Sequence, residues 1–291
     1  MGVLGVIGGS GVYQLDALED ARWEKIESPF GTPSDALLRG RLHGQEIAFL
    51  PRHGRGHRIP PSRIDYRANV DALKRAGVTD LVSISACGSL REELSPGTFV
   101  LVDQFVDRTV ARASSFFDVG LVAHVSMADP VCARLGDQLE AVARAQGIAV
   151  HRGGTYLAME GPQFSSRAES ALYRTWGCDV IGMTNMPEAK LAREAELPYA
   201  SVAMVTDYDC WHPDHDAVEV ATVIRVLMDN AAKAGALLAR AAPLLGPVRT
   251  PSPLGIERAL DNAIVTAPEA RDPALVAKLD AVAGRVLKGA P

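Results

Sequence analysis

The chain has 291 residues, of which 47% are hydrophobic and 22% are charged, and its formal net charge at pH 7 is −5. These proportions are ordinary for a globular protein with a buried core, and the negative charge argues against general binding of nucleic acid or of a membrane surface. The 4 cysteines form no CxxC pair, which disfavours a structural zinc site and fits a reducing compartment. Because the first residues carry no charged segment and no apolar run is long enough to span a membrane, we predict a cytoplasmic protein.

Apolar runs with strand character alternate with helical patterns along the chain. A first strand over residues 3–7 leads into a glycine-rich loop, and residues 37–42 and 46–50 are predicted to form a hairpin. Pro61 starts a helix that Gly77 ends. The later predicted strands cover residues 81–84, 99–102, 154–159, 179–183 and 199–207, and the later helices cover residues 129–147, the residues after Ser166, the residues after Pro187, and about 217–241.

Strands that alternate with helices predict an α/β fold, in which a twisted, mixed but mostly parallel central sheet is flanked by helices on both faces. We predict one catalytic domain over residues 1–246 and a partly helical C-terminal tail over residues 247–291. The proline-containing segment 247–253 is predicted to be a hinge between them. The apolar residues that recur at helical spacing in the tail are Leu275, Leu279, Val282 and Val286.

Four predicted strands end in loops that carry hydroxyl or basic side chains. The glycine-rich loop after the first strand contains Ser10 and suits an anion, although an ordinary tight turn would require the same small residues. Arg52 and His53 open the densest basic run of the chain, and arginine matches phosphate oxygens, although a solvated basic loop has the same composition. Ser85 and Thr184 follow two further strands. Because ligand crevices in α/β sheets lie at the carboxyl ends of strands, this set predicts one oxyanion site.

A second group of residues suits a purine. Asp207 ends a predicted strand, and its carboxyl group can accept a hydrogen bond from the N6 amine of adenine or give a proton to a ring nitrogen. An amide at this position would suit a 6-oxopurine better. Phe164 follows another strand and can stack on a base, although an ordinary core phenylalanine is an equal alternative.

Two other chemistries are disfavoured by the sequence. The glycine-rich loop lacks the third glycine of the GxGxxG pattern, which argues against a dinucleotide-dependent oxidoreductase. Residues 210–216 hold two histidines among carboxylates, but a solvated loop explains them better than a metal site does. We therefore predict no metal.

Eight segments match one protein family in the same order, from residue 3 to about residue 245. The segments are residues 8–11, 29–35, 52–55, 79–91, 103–108, 160–169, 183–188 and 206–211. On these segments the chain resembles the trimeric purine nucleoside phosphorylase and methylthioadenosine phosphorylase family. The resemblance implies a single-domain nucleoside-phosphorylase-like fold and the reversible phosphorolysis of S-methyl-5′-thioadenosine to adenine and 5-methylthioribose 1-phosphate.

The resemblance also assigns roles to individual residues. Asp207 would be the catalytic acid that protonates N7 of the purine. The phosphate-binding residues would be Ser10, Arg52, His53, Ser85, Ala86 and Thr184. The residues around the nucleoside would be Met183 at the ribose, Phe164 at the purine face, and Ser165, Asp207 and Asp209 at the base edge.

The 5′ side of the substrate would be enclosed by a homotrimer. The resemblance places His124 of a neighbouring subunit over the 5′ group and gives Val220 and Ile224 an apolar pocket for a methylthio group. It also implies that the C-terminal tail packs at a subunit interface, where Ile264 or Val265 would cover a neighbour's pocket. Inorganic phosphate would be a co-substrate, and no cofactor is predicted.

Two alternatives stay open from the sequence. Residues 182–194 resemble bacterial relatives that prefer methylthioinosine, so a 6-oxopurine nucleoside or methylthioinosine phosphorylase is the alternative enzyme. Those relatives carry asparagine where this chain has Asp207. A nucleoside-binding protein without catalysis is the alternative from another functional class, and the presence of Arg52, Thr184 and Asp207 argues against it.

Overall fold

A computed structural model describes residues 2–9, 18–212, 220–245 and 250–288, with the backbone alone for residues 220–223. Within these ranges the strands form a single 11-stranded sheet. The strands are β1 (Val3–Gly8), β2 (Glu19–Glu24), β3 (Leu37–Leu42), β4 (Gln45–Pro51), β5 (Val78–Ser89), β6 (Phe99–Val102), β7 (Gln104–Arg108), β8 (Val150–Arg152), β9 (Thr155–Met159), β10 (Val180–Gly182) and β11 (Tyr199–Asp207).

The centre of the sheet is parallel, and antiparallel strands extend it. Strands β4, β1, β5 and β11 run in the same direction side by side, and β9 pairs in parallel with both β7 and β10. The pairs β2–β3, β3–β4, β6–β11 and β5–β10 are antiparallel. The predicted mixed, mostly parallel sheet is confirmed.

Strand β5 changes its neighbour on one side. It pairs with β1 as far as Ile84, and it pairs with β10 only at Gly88 and Ser89. Residues 85–87 therefore face neither strand on that side, while β11 follows the other side of β5 as far as Asp207. The sheet thus opens at the carboxyl ends of its parallel strands, where ligands bind in folds of this class.

Helices cover both faces of the sheet. Alternate residues of β11 divide between two hydrophobic clusters, with Ala203 and Val205 in one and Val202 and Met204 in the other. The helices are α1 (Tyr66–Arg75), α2 (Ala133–Ala145), α3 (Arg167–Thr175), α4 (Asn185–Glu194), α5 (Val220–Leu245), α6 (Pro273–Lys278) and α7 (Gly284–Leu287). Side chains of α1, α4 and α6 belong to the first cluster, and those of α2 and α5 belong to the second.

Strongly apolar elements lie where the sequence predicts them, and polar or short ones do not. The bounds of β6 and β11 agree with the predictions, and Ser166 forms the predicted capping box with Glu169. The exposed strands β2 and β7 and the three-residue strand β8 escaped prediction because they lack an apolar run. Strand β5 is 12 residues long, longer than predicted, because its polar segments pair with neighbouring strands.

The C-terminal residues pack against the rest of the chain. Leu260, Leu275, Leu279 and Val282 belong to the same hydrophobic cluster as the first face of the sheet. The Arg285 guanidinium lies 2.5 Å from the Glu196 carboxylate at the end of α4. Residues 247–249 of the predicted hinge lie outside the described ranges, and a tail contact with another subunit stays a prediction. No described helix is both long and apolar enough to cross a membrane.

Candidate active site

The carboxyl ends of the central strands bring several predicted site residues together. The register places Gly8 of β1 opposite both Pro51 of β4 and Ile84 of β5, so Arg52 and Ser85 flank Gly9. The Arg52 N–H donates to Gly8 O at 2.9 Å, and the Gly9 N–H donates to Ile84 O at 3.3 Å. Ser10, the predicted hydroxyl of this loop, lies outside the described residues.

Arg52 is fully buried, and most of its donors are occupied within the protein. Its acceptors are Glu188 Oε2 at 2.9 Å from Nε, Ile84 O at 2.9 Å from Nη1, and Ser83 Oγ at 2.6 Å, Glu188 Oε1 at 3.2 Å and Ile7 O at 3.3 Å from Nη2. Among the described residues, one N–H of Nη1 makes no hydrogen bond. A Cβ on Gly9 would lie 3.8 Å from Nη1, so this nitrogen faces the glycine-rich loop. Arg52 can therefore offer an anion one N–H and not a bidentate fork.

Glu188 compensates the charge of Arg52. Burial lowers the pKa of Arg52, but the ion pair with Glu188 outweighs burial and raises the pKa above its ordinary value. The Tyr199 hydroxyl donates to Glu188 Oε1 at 2.9 Å, so this carboxylate is also buried and hydrogen-bonded. Glu188 was not among the predicted site residues. Its place in the sequence, one residue after Pro187 at the start of a helix, gave no sign of a partner in the segment after β4.

Ser85, Ala86 and Thr184 lie around the opening in the sheet. Ser85 and Ala86 are in the part of β5 that faces neither β1 nor β10, and Ala86 is half-buried. The Ser85 hydroxyl donates to Asn185 Oδ1 at 3.0 Å, and Asn185 in turn donates to the Ser201 hydroxyl. Thr184 is buried at the amino end of α4, where its hydroxyl does not cap the helix. Asn185 is a second residue that the sequence analysis missed.

His53 is a neutral, buried imidazole at pH 7. Its Nδ1 lies 2.8 Å from Ile59 O, and its ring stacks on that of His57 with the centroids 4.2 Å apart. Burial lowers the pKa of His53 to about 4, and the positive charge of Arg52 contributes. Because a carbonyl oxygen only accepts, Nδ1 carries the proton and Nε2 is left as an acceptor. His53 therefore differs from the cationic phosphate ligand that a basic run would suggest.

The base-edge residues converge at the end of β11. Asp207 Oδ2 accepts from the Thr206 hydroxyl at 2.7 Å, and Oδ1 accepts from the Asp209 N–H at 2.8 Å. A Cβ on Gly88 would lie 2.9 Å from Asp207 Oδ1 and 3.3 Å from Asp209 Cβ. Burial raises the pKa of Asp207, and the charge of Asp209 raises it further. Both aspartate side chains thus lie close to this strand position, where a larger residue than glycine would crowd the Asp207 carboxyl group.

Asp209 connects this edge to the loop after β9. Burial raises the pKa of Asp209, and hydrogen bonding by the Ser165 side chain offsets part of that effect. The Cys210 thiol donates to Ser165 O at 3.3 Å. Ser165 therefore lies beside the Asp207–Asp209 edge, where the resemblance places it.

The loop after β9 also meets the turn after β10. Gly161 has a φ of +66°, and a Cβ at this position would lie 2.5 Å from Met183 Sδ. Phe164, farther along the loop, is 54% exposed. That exposure excludes the alternative of a core phenylalanine and leaves its ring accessible. Met183 and Phe164 thus belong to the surroundings of the same opening.

His124 and the α5 residues lie apart from these contacts. His124 is exposed, and its backbone N–H donates to Ala263 O at 2.9 Å in a short ribbon that pairs Ala123 with Ile264. The two predicted intersubunit features, His124 and the segment of Ile264 and Val265, are therefore neighbours. Ile224 is 52% exposed on α5, and the side chain of Val220 lies outside the described structure.

Across the described part of the chain, no group of three or more His, Cys, Asp or Glu side chains is placed to hold a metal ion. His212 Nε2 lies 3.0 Å from Glu92 Oε1, and the rest of the histidine-containing loop, residues 213–219, is not described. That the protein binds no metal stays a prediction.

Comparisons with known proteins agree with this arrangement. The model of the phosphorylase superfamily matches residues 3–243. The chain belongs to the phosphorylase superfamily. An S-methyl-5′-thioadenosine phosphorylase from Bradyrhizobium diazoefficiens is 67% identical over 287 residues, which are 99% of each chain.

Solved structures of phosphorylases share the fold. A methylthioadenosine phosphorylase from an antarctic soil metagenomic library superposes with a TM-score of 0.91 at 48% identity, covering 96% of this chain and 98% of that one. A methylthioadenosine phosphorylase from Schistosoma mansoni in complex with adenine gives a TM-score of 0.81 at 38% identity. This match covers 84% of this chain and 92% of that one. The nucleoside-phosphorylase-like fold predicted from the motifs is confirmed.

Proposed function

We propose that this phosphorylase catalyses the reversible phosphorolysis of S-methyl-5′-thioadenosine to adenine and 5-methylthioribose 1-phosphate, with inorganic phosphate as co-substrate. The observation that carries the proposal is the half-buried carboxyl group of Asp207, whose pKa is raised, at the open carboxyl end of the sheet. Its neighbours Asp209 and Ser165 complete a polar edge that suits a 6-aminopurine. The names of the similar proteins support the same substrate.

On the phosphate side, the proposed ligands act as single, directed hydrogen-bonding groups. Arg52 would donate one N–H from Nη1, and the hydroxyls of Ser10 and Thr184 and the backbone around Ser85 and Ala86 would add further donors. Neutral His53 would accept through Nε2, which suits the P–OH of hydrogenphosphate and not its charged oxygens. No metal or organic cofactor is part of the proposal.

On the base side, Asp207 would act as a general acid. Cleavage of the N-glycosidic bond places positive charge on the ribose and negative charge on the purine. Phosphate below C1′ would stabilise the ribose cation and then bond to C1′, while the Asp207 proton passes to N7 so that adenine leaves neutral. General-acid catalysis of this kind accelerates a reaction by about 10²–10⁴-fold, and the raised pKa of Asp207 keeps the proton available.

The 5′ side of the proposed site requires more than one chain. Met183 would contact the ribose and Phe164 the purine face, whereas Ile224 would line the methylthio pocket together with Val220. We propose a cytoplasmic homotrimer in which His124 of the neighbouring subunit covers the 5′ group. A sedimentation mass of one chain for the active enzyme would contradict this role for His124.

A substrate panel tests the proposed function. The unaltered protein is assayed with S-methyl-5′-thioadenosine, methylthioinosine, adenosine and inosine, each with and without inorganic phosphate. We expect phosphate-dependent release of adenine from S-methyl-5′-thioadenosine with the highest kcat/KM. Faster cleavage of methylthioinosine would support the 6-oxopurine alternative instead. Binding of nucleosides without turnover would identify a protein that has lost catalysis.

A further inference from the structure

Arg112 lies in the loop after β7 and is not among the residues assigned to the site. Its side chain is only 2% exposed, and its guanidinium contacts three separate segments. The acceptors are Glu160 Oε1 at 3.0 Å from Nε, Met183 O at 2.6 Å, Met186 O at 2.7 Å and the Tyr66 hydroxyl at 3.0 Å from Nη1, and Glu160 O at 2.7 Å and Met159 O at 3.4 Å from Nη2.

These contacts leave Arg112 no donor for a ligand. An arginine side chain has five N–H groups, and six protein acceptors surround this one. Four of the acceptors are backbone carbonyl oxygens, so the guanidinium holds the main chain itself at specified distances. Any influence of Arg112 on the reaction therefore passes through the segments that it contacts.

Glu160 completes the connection from the opposite side. Its Oε2 accepts from the Val110 N–H at 2.6 Å and the Ala111 N–H at 3.2 Å, while its Oε1 pairs with Arg112. The loop after β7, the loop after β9 and the turn after β10 are therefore joined at one ion pair. Strong charge-assisted hydrogen bonds of this kind fix geometry as well as contribute energy.

The joined segments carry both sides of the proposed site. Met183 and Thr184 lie in the turn after β10, and Nη1 contacts the carbonyl groups of Met183 and Met186 in the same segment. Phe164 and Ser165 follow Glu160 in the loop after β9. A small shift of one segment relative to the other would displace the ribose and phosphate contacts from the base contacts.

We propose that Arg112, through its ion pair with Glu160, is a positioning residue that aligns the Met183–Thr184 turn with the loop that carries Phe164 and Ser165. The proposal rests on the proposed phosphorolysis, because alignment of these segments matters only where phosphate, ribose and purine bind together. Lysine cannot replace arginine here, since its three donors on one nitrogen do not reach six acceptors in three directions.

The test compares Arg112→Lys with Arg134→Lys. Arg134, in α2, has a side chain that is 10% exposed and paired with Asp80, so its replacement controls for the loss of a largely buried ion pair. We expect Arg112→Lys to lower kcat per folded molecule by about 10²-fold, the effect of displacing reacting groups by about 1 Å. The kcat of Arg134→Lys per folded molecule should equal that of the unaltered protein.

Binding of adenine alone provides a second readout. Adenine alone occupies only the base side of the proposed site, so misalignment of the Met183–Thr184 turn with the loop should change the dissociation constant of adenine by less than about threefold in Arg112→Lys. If Arg112→Lys fails to fold, Glu160→Gln is the alternative variant. It keeps the shape of the carboxylate but removes its charge, and we expect its kcat to be about tenfold lower.

Three outcomes separate the proposals. An unaltered protein that cleaves no nucleoside would contradict the proposed function. An active unaltered protein whose Arg112→Lys or Glu160→Gln variant retains full kcat per folded molecule would contradict the positioning role alone. Equal losses in Arg112→Lys and Arg134→Lys would assign Arg112 a role in stability only.

Discussion

For individual residues, burial decides what the polar side chains of the opening can do. Arg52 is charged and adjacent to the glycine-rich loop, yet within the described part of the chain Glu188 and three other partners occupy all but one of its N–H groups. Asp207 is half-buried, and desolvation and the charge of Asp209 raise its pKa. The most basic side chain of the opening is thus largely structural, and Asp207 is the residue that we propose to react.

Replacing Asp207 with asparagine should remove the acid without changing the size of the side chain. We expect Asp207→Asn to lower kcat/KM for S-methyl-5′-thioadenosine by about 10²–10⁴-fold and to favour methylthioinosine in comparison. Because the proposed general acid must carry its proton, kcat/KM of the unaltered protein should fall as pH rises through the raised pKa of Asp207. That decrease should be absent from the pH profile of kcat/KM of Asp207→Asn, and its persistence would assign the proton to another group.

For secondary-structure elements, the site depends on how strand ends and loops approach each other. The change of neighbour along β5 creates the opening, and the loop after β9 approaches the turn after β10 closely enough to require glycine at position 161. The first feature lies within β5, which pairs there with β11 on one side alone, and the second lies between two segments outside the strands. Loops of this kind carry function because the rigid sheet holds their ends.

Gly161→Ala tests the approach of the two segments. Gly161 has a φ of +66° and its Cβ would lie 2.5 Å from Met183 Sδ, whereas Gly255 has a φ of +63° with nothing within 4 Å of its Cβ position. Both alanine variants should lose about 1–2 kcal/mol of unfolding free energy, since a left-handed conformation is unfavourable for any residue with a Cβ. Only Gly161→Ala should also displace Met183, and we expect its KM for the nucleoside to rise by about tenfold.

Gly255→Ala is the matched control for that experiment. Denaturant titrations give the two unfolding free energies, and steady-state kinetics give KM and kcat. Equal kinetics in the two variants would mean that contact between Gly161 and Met183 does not affect substrate binding.

In the molecule as a whole, one buried carboxyl group connects the core to the loop before His124. Glu194, at the end of α4, accepts from the Ser115 hydroxyl at 2.8 Å and from the Phe116 N–H at 2.7 Å. Burial raises its pKa from 4.5 to about 7, although both hydrogen bonds favour the ionised form. The folded protein therefore keeps this proton at pH values where the unfolded chain has lost it.

The stability of the protein should consequently decrease as pH rises. Below pH 4.5 Glu194 is protonated in both states, between 4.5 and about 7 only the folded state holds the proton, and above about 7 neither does. The decrease across this window is at most about 3 kcal/mol for this group. Between about pH 5 and pH 8, the unfolding free energy of Glu194→Gln should decrease less than that of the unaltered protein. We expect the two decreases to differ by a similar amount, about 3 kcal/mol at most.

Glu93→Gln is the control for Glu194→Gln, because Glu93 is an exposed carboxylate. Denaturant titration at several pH values measures each unfolding free energy. An unchanged pH dependence in Glu194→Gln would mean that the pKa of this carboxyl group is not raised in the folded protein.

The sequence by itself determined the fold class and the position of most site residues at strand ends. Apolar periodicity and motifs such as the Ser166 capping box are local patterns, and the parallel strands that they predict bring Arg52, Ser85 and Asp207 to the opening, whereas Thr184 arrives on β10, which runs antiparallel to β5. These residues could be found because each follows or ends an apolar run. Local patterns are sufficient for that inference.

Only the tertiary structure decided how those residues are used. Glu188 pairs with Arg52 across 136 positions of sequence, Arg112 contacts Met183 across 71, and neither pairing has a local signal. The pKa values of His53 and Asp207 shift because of burial, which depends on segments packed from elsewhere in the chain. Hydrogen-bond saturation and burial are properties of the packed molecule, so no pattern within a single segment could specify them.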